Sequence, residues 1–162
     1  MAEAGIKLVY GGGRIGLMGV VADAVLQAGG AVHGVIPEFL TRREVAHRSI
    51  AELDVTDSMH ARKQRMFELA DAFISLPGGL GTLDETVEIL TWRQLHLHAK
   101  PILICDIAGS ARPLLAAIEA AVAAGFGGAE VHGFYEVFQE VPALIDRLTR
   151  LHPVPQGETA RL

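Results

Sequence analysis

Short apolar runs alternate with longer stretches of helical periodicity along this chain, and that alternation limits the folds it can adopt. Buried strands are predicted at residues 6–10, 32–36, 52–55, 73–76, 102–105 and 136–138. Helices are predicted at residues 17–28, 58–69, 83–97, 112–124 and 142–151. Strands that alternate with helices are typical of a parallel sheet covered on both faces, because each parallel connection must cross the sheet. The sequence therefore predicts an α/β fold with a mainly parallel sheet.

Composition and charge are those of an ordinary globular domain. The chain has 162 residues, 50% of them hydrophobic, which is enough for a sizeable core. Its net charge of −5 argues against nucleic acid or an anionic membrane as the main partner, because both need a broad cationic face. The single cysteine, Cys105, excludes an internal disulfide and fits a reducing cytoplasm. We expect a single domain over residues 1–151, a frayed tail over residues 152–162 and a cytoplasmic location.

Two glycine-rich turns each connect a predicted strand to a predicted helix. The first spans residues 11–16 and the second spans residues 77–82. Every strand-to-helix turn of a parallel sheet lies at the carboxyl edge of the strands, so we expect both turns to line one rim. Glycines let the backbone approach a ligand closely, and the helix that follows presents N–H groups to an anion. The rim is therefore a predicted phosphate-binding crevice.

The first turn also fits the dinucleotide pattern G-x-G-x-x-G through Gly11, Gly13 and Gly16. That pattern expects an acidic residue at the end of the next strand, where it holds a ribose hydroxyl. Here the next strand ends at Pro37, and Glu38 follows in a different local context. We therefore favour a mononucleotide or a sugar phosphate over NAD as the ligand.

Two cations, Arg62 and Lys63, follow the start of the helix predicted at residues 58–69. Asp57 or Ser58 can cap that helix, which puts both cations in its first two turns and within reach of the rim. A cation at a helix start opposes the helix dipole, so a purely structural purpose is harder to find. A solvated charged face and an anion-binding role remain about equally supported. Arg62 is the better anion ligand, because its planar fork can bind two oxygens at once.

Glu85 has both a structural and a chemical interpretation. The residues from Thr82 to Glu85 form a T-x-x-E capping box, in which Thr82 caps the helix and Glu85 reaches back to its amide. By spacing alone, capping is favoured. The preceding glycines and the expected nearby cations shift the balance towards a functional carboxylate. Asp84 is interpreted as a residue that favours the helix N-terminus electrostatically.

The stretch PGGLGTLDE at residues 77–85 fits the P-G-G-x-G-T-x-x-E signature of the LOG (Lonely Guy) family of cytokinin-activating phosphoribohydrolases. Further landmarks that resemble the family occur in order at residues 8–13, 16–19, 34–37, 59–60, 62–63, 91–92, 94–95, 98 and 100–101. The resemblance covers most of the chain. It implies a Rossmann-like three-layer sandwich. Family members begin with a further strand and helix, and we expect this fold to lack both.

The resemblance also implies an activity and a set of site residues. It implies hydrolysis of N6-substituted adenosine 5′-monophosphates, including AMP-nucleosidase-like action, to the free base and ribose 5-phosphate. Arg62 and Glu85 correspond to the family's essential arginine and glutamate. The other predicted substrate-binding residues are Gly12, Gly13, Met18, Lys63, Gly78, Gly79, Gly81 and Thr82. A homodimer or larger homo-oligomer is implied, and no cofactor or metal is expected.

Several alternatives stay open at this point. A non-catalytic nucleotide carrier or sensor could use the same rim, although binding alone does not require a carboxylate beside a phosphate. An NAD-dependent oxidoreductase is disfavoured by the missing ribose-binding acid. The family's older name, lysine decarboxylase, would imply a lysine bound to pyridoxal phosphate, which the motifs do not support. Trp92 is interpreted as a core or interface residue, and His96 and His98 as loop or helix-end residues rather than metal ligands.

Overall fold

The computed structural model describes residues 1–41, 46–47 and 49–151. Its residues fall into two compact units, Met1–Ala70 and Asp71–Leu162. The tail predicted at residues 152–162 lies outside the described residues, and the single domain predicted for residues 1–151 stays a prediction. None of the helices in the described ranges is long and apolar enough to cross a membrane.

The first unit contains a three-stranded parallel sheet with the order β1-β2-β3. Its elements are β1 (Leu8–Tyr10), α1 (Leu17–Gln27), β2 (Val32–Pro37), α2 (Glu38–Thr41), β3 (Glu52–Thr56) and α3 (Met59–Leu69). In the register of the sheet, Gly34 of β2 lies between Tyr10 and Leu53. β2 is buried along its whole length, which agrees with its central position. The core of this unit consists of Tyr10, Ala22, Val25, Val32 and Ile50.

The second unit contains another three-stranded parallel sheet, with the order β4-β5-β6. Its elements are β4 (Phe73–Ser75), α4 (Leu80–Gln94), β5 (Ile102–Cys105), α5 (Arg112–Ala123), β6 (Glu136–Phe138) and α6 (Val141–Thr149). The central strand β5 is fully buried, and its Leu103 and Cys105 pack with Leu144 of α6. Cys105 is a small residue of this core, since it is 2% exposed.

The predicted strands and helices are all present, and α4 differs most from its predicted bounds. It begins at Leu80 instead of residue 83 and ends at Gln94 instead of residue 97. Leu80 is 85% exposed, so its side chain does not belong to the apolar face that marked the helix in the sequence. The early end follows from His96, which adopts a left-handed conformation with φ of 57°.

Candidate functional site

The first glycine turn, residues 11–16, connects β1 to α1 and packs directly against β2. Gly12 has φ of 68°, and a Cβ at this position would lie 3.0 Å from the Cβ of Ile36. Gly16 occupies the N-cap of α1 with φ of 63°. Gly12 and Gly13 are buried. The backbone of this turn therefore requires glycine both for its dihedral angles and for its close approach to the sheet.

Arg62 lies beside this turn. The N-cap of α3 is Ser58, whose Oγ accepts a hydrogen bond from the Ala61 amide at 3.1 Å. Arg62 follows in the first turns of the helix, is only 7% exposed, and donates from Nε to the Val35 carbonyl at 3.2 Å. A Cβ on Gly11 would overlap its Nη2 atom. The solvated-face interpretation is therefore wrong for Arg62, which lies beside the first turn, and its reach to a shared rim stays a prediction.

The other two predicted substrate contacts of this unit are less buried. Lys63, the next residue of α3, is partly exposed. Met18 lies in the first turn of α1 and is 43% exposed. Their roles in substrate binding stay predictions.

His47 contacts the first turn and was not identified from the sequence. Its backbone N–H donates to the Gly12 carbonyl at 2.9 Å, and Ala46 forms an antiparallel bridge with Gly13. The His47 ring is buried, and its Nε2 lies 3.1 Å from Oδ1 of Asp23 on α1. No sequence signal marks this residue, because its partners are distant in the chain and belong to no short motif.

The second glycine turn leads from β4 into α4. Gly79 occupies the N-cap of α4 and has no side chain with which to satisfy the first N–H groups of the helix. Gly78, Gly79 and Gly81 are exposed. Thr82 is the third residue of the helix rather than its cap, so the capping-box interpretation of Thr82 and Glu85 is wrong. The first N–H groups of α4 and the positive end of its helix dipole are suited to binding an anion.

Hydrogen bonds of the buried Thr86 hydroxyl and the partly buried Ser75 hydroxyl connect this second turn to β4. The Thr86 hydroxyl donates to the Thr82 carbonyl at 2.6 Å, and it lies 2.9 Å from Oγ of Ser75 at the end of β4. A Cβ on Gly78 would overlap the Thr82 hydroxyl, so glycine is needed for their close approach. Ser75 and Thr86 were not singled out in the sequence, although a buried polar position in an apolar helix face is a usable signal.

Glu85 lies one turn further along α4 and is partly exposed. It follows Thr82 by three residues, so the two side chains share a helix face with about 5–6 Å between their Cβ atoms. Asp84 is exposed. The structure thus groups Gly78, Thr82 and Glu85 within one unit, and Gly11, Gly12 and Arg62 within the other. That both turns line one rim stays a prediction.

The histidines near the end of α4 have a structural role. Nδ1 of His98 accepts a hydrogen bond from the Lys100 N–H at 3.1 Å. The proton of the ring is therefore on Nε2, which donates to the Ile89 carbonyl at 2.9 Å. Burial lowers the pKa of His98, so its ring is neutral near pH 7. Within the described part of the chain, no group of three His, Cys, Asp or Glu side chains could hold a metal ion.

Comparison with known proteins identifies similar sequences over most of the chain. The family model described as "Possible lysine decarboxylase" matches residues 18–148. A cytokinin riboside 5′-monophosphate phosphoribohydrolase of Rhodococcoides fascians is 51% identical over 127 residues, which are 78% of this chain and 64% of the relative. A second cytokinin riboside 5′-monophosphate phosphoribohydrolase, called LOG, from Oryza sativa subsp. japonica is 49% identical to this chain. The match covers 78% of this chain and 52% of that relative. The chain thus spans between about half and two thirds of these relatives.

A solved structure supports the fold independently. The molybdenum cofactor binding protein of the phototrophic bacterium Rippkaea orientalis matches with a TM-score of 0.67 and 21% sequence identity. The match covers 91% of this chain and 78% of that protein. At this identity the likeness concerns the fold alone. It confirms the predicted Rossmann-like, three-layer α/β fold class.

Proposed function

Because the chain belongs to the LOG family, we propose that it hydrolyses the N-glycosidic bond of N6-substituted adenosine 5′-monophosphates. The products are the free base, a cytokinin or adenine, and ribose 5-phosphate. The relatives that carry this activity in their names are longer than the chain.

The observation that carries this proposal is the buried guanidinium of Arg62. A cation this deeply buried is costly unless it has partners, and Arg62 is fixed by the Val35 carbonyl beside a turn of three glycines. Its pre-set orientation supports a role in binding oxygens of the nucleotide and in stabilising its charge. A guanidinium has a pKa above about 12 and is a poor proton donor, so Arg62 orients the substrate rather than protonating the base.

Glu85 is the proposed catalytic carboxylate. Cleavage of an N-glycosidic bond develops positive charge on C1′ and on the ring oxygen of the ribose. A nearby carboxylate stabilises that charge and can also activate the attacking water. Glu85 is partly exposed, one turn beyond the open N-terminus of α4, which supports this role.

Backbone amides are the proposed ligands of the 5′-phosphate. The exposed turn formed by Gly78, Gly79 and Gly81 supports such binding, together with the amide and hydroxyl of Thr82. Gly12 and Gly13 of the first turn, Met18 and Lys63 complete the proposed set of substrate contacts. No cofactor takes part in this proposal.

The activity is tested with AMP and isopentenyladenosine monophosphate by measuring released base. We expect Glu85→Gln to lower kcat at least about a hundredfold, the size of effect seen when a group that stabilises transition-state charge is removed. Because the carboxylate acts on charge that develops during the reaction, KM should change little. The matched control is Asp84→Asn, which removes the adjacent exposed carboxylate and should retain near wild-type kcat.

Two results would contradict the proposal. Base release by Glu85→Gln at the wild-type rate would remove Glu85 from the chemistry. A wild-type protein that binds AMP tightly but releases no base would favour the alternative function, a non-catalytic nucleotide carrier or sensor.

We also propose a homodimer or larger homo-oligomer in the cytoplasm. Leu83 and Val87 lie four residues apart on α4 and are 39% and 48% exposed, and Leu95 beyond its end is 62% exposed. Exposed apolar side chains along one helix support a protein interface, with Trp92 as a further candidate contact. Light scattering after size-exclusion chromatography tests the proposed oligomer, and a measured mass equal to that of one chain would overturn it.

A further inference from the structure

Ala46 and His47 contact the backbone of the first glycine turn, and these two residues form the His47 brace. The His47 N–H donates to the Gly12 carbonyl at 2.9 Å, and Ala46 pairs with Gly13 in an isolated antiparallel bridge. The backbone on both sides of the Gly12–Gly13 peptide is therefore in contact with this segment.

The contact with His47 sets the direction of the next amide. The Gly12 carbonyl and the Gly13 N–H belong to one planar trans peptide and point to opposite sides of it. Because the Gly12 carbonyl faces His47, the Gly13 N–H is directed away from His47. A turn made of glycines has many accessible conformations, so this contact selects one of them.

The His47 side chain connects the brace to helix α1. Its Nδ1 accepts a hydrogen bond from the Ser49 N–H at 3.3 Å. The proton of the ring is therefore on Nε2, which donates to Oδ1 of Asp23 at 3.1 Å. His47 is only 5% exposed, and the Asp23 side chain is 57% exposed. The histidine thus joins α1 to the turn that precedes it, through its ring at one end and its backbone at the other.

We propose that His47, through its hydrogen bond to Asp23, is a positioning residue that holds the first glycine turn in the conformation that binds the 5′-phosphate. This inference rests on the proposed function, in which Gly12 and Gly13 contact the phosphate. His47 itself touches the turn and not the substrate.

The test compares five variants with wild type. His47→Ala, Asp23→Ala and the double variant that combines them remove the side-chain hydrogen bond, and His47→Gln retains an N–H that can donate to Asp23. The matched control is His132→Ala, which removes an exposed histidine whose Nε2 lies 3.5 Å from Glu119. For each protein, kcat and KM are measured with AMP, and calorimetry gives the Kd of ribose 5-phosphate and of adenosine.

We expect His47→Ala and Asp23→Ala to raise KM for AMP and Kd for ribose 5-phosphate about tenfold, the equivalent of one hydrogen bond to a charged group. kcat and the Kd of adenosine, which has no phosphate, should stay within about twofold. The double variant should be no worse than either single variant, because both changes remove one contact. His47→Gln should restore most of the affinity, and His132→Ala should match wild type.

Unchanged ribose 5-phosphate binding in both alanine variants would overturn the inference. Equal weakening of adenosine and ribose 5-phosphate would also overturn it, because that pattern indicates general damage to the fold. A wild-type protein that releases no base from AMP refutes the proposed function, while the calorimetric comparison still decides the role of His47.

Discussion

At the scale of single residues, Arg62 is held beside the first turn because Gly11 has no side chain. A Cβ at Gly11 would overlap the Arg62 guanidinium, which is the far end of a flexible side chain and can move aside. We therefore predict that Gly11→Ala lowers kcat/KM for AMP at least about tenfold, while the free energy of unfolding changes by less than about 1.5 kcal/mol. Kinetics with AMP and urea unfolding of the same preparation measure the two effects.

Gly127→Ala provides a matched control for that substitution, since a Cβ on Gly127 meets no atom within 4 Å. Arg62→Ala should weaken both binding and turnover, and Gly11→Ala should reproduce much of its kinetic effect. Full activity of Gly11→Ala would show that the position of the guanidinium beside Gly11 is not needed for the reaction.

Tyr10 carries a buried hydroxyl that has no hydrogen-bond partner among the described residues. Burial, with a smaller contribution from the charge of Asp23, raises the pKa of Tyr10 to about 12. Burying a hydroxyl without a partner costs free energy, so we predict that Tyr10→Phe increases the free energy of unfolding by about 1 kcal/mol. Urea denaturation at pH 7 measures this change. Tyr135→Phe, at the other tyrosine, should change stability by less than about 0.5 kcal/mol, and a destabilised Tyr10→Phe would contradict the prediction.

At the scale of elements, the α3 start was predictable from the sequence and the α4 start was not. Ser58 is a strong N-cap residue, and it caps α3 as expected. α4 begins instead at a glycine cap, three residues before the Thr82 that has the stronger capping propensity. The Thr86 hydroxyl donates to the Thr82 carbonyl and lies beside Oγ of Ser75 on β4, so the first turns of α4 are connected to the sheet. Local sequence patterns do not contain a contact of this kind between a strand and a helix.

α4 ends in a hydrogen-bond pattern in which glycine usually occupies the left-handed position after the helix. The amides of His96 and Leu97 donate to the carbonyls of Arg93 and Trp92, and His96 has φ of 57°. A left-handed conformation costs a non-glycine residue roughly 1 kcal/mol or more. We therefore predict that His96→Gly raises the free energy of unfolding by about 0.5–1 kcal/mol, measured by urea denaturation. His96→Ala, which keeps the Cβ, should give no such gain, and equal stabilisation by both variants would reject this explanation.

The parts of the candidate site differ in how far the sequence predicts them. Both glycine turns, Arg62 and Glu85 follow from short motifs, because each motif carries its own strand-to-helix geometry. The acceptor of Arg62, the Val35 carbonyl, and the brace at His47 depend on pairings between residues more than 20 positions apart. A single sequence contains no local signal for such pairings.

At the scale of the whole molecule, the two units repeat one plan. In each unit the first strand of a parallel sheet leads through a glycine turn into a helix of 11 or 15 residues. In each unit a buried polar residue contacts the turn, His47 through its backbone N–H in the first and Thr86 through its hydroxyl in the second. Buried polar contacts of this kind specify one turn conformation where glycines alone would allow many.

We predict that the buried histidine His98 makes the stability of the protein depend on pH. Its folded-state pKa is lowered by burial, so below the unfolded value of about 6.5 the unfolded chain binds a proton that the folded state does not. The stabilisation is complete above that pH and is lost as the pH falls towards the folded pKa, with a slope of up to about 1.4 kcal/mol per pH unit. Urea unfolding at pH 8, 6.5, 5.5 and 5 measures the slope.

His98→Gln should be less stable at pH 8, because it loses the hydrogen bonds of the ring to Ile89 and Lys100. Its free energy of unfolding should nevertheless fall less steeply below pH 6.5. A decline as steep as that of wild type would assign the pH dependence to other groups.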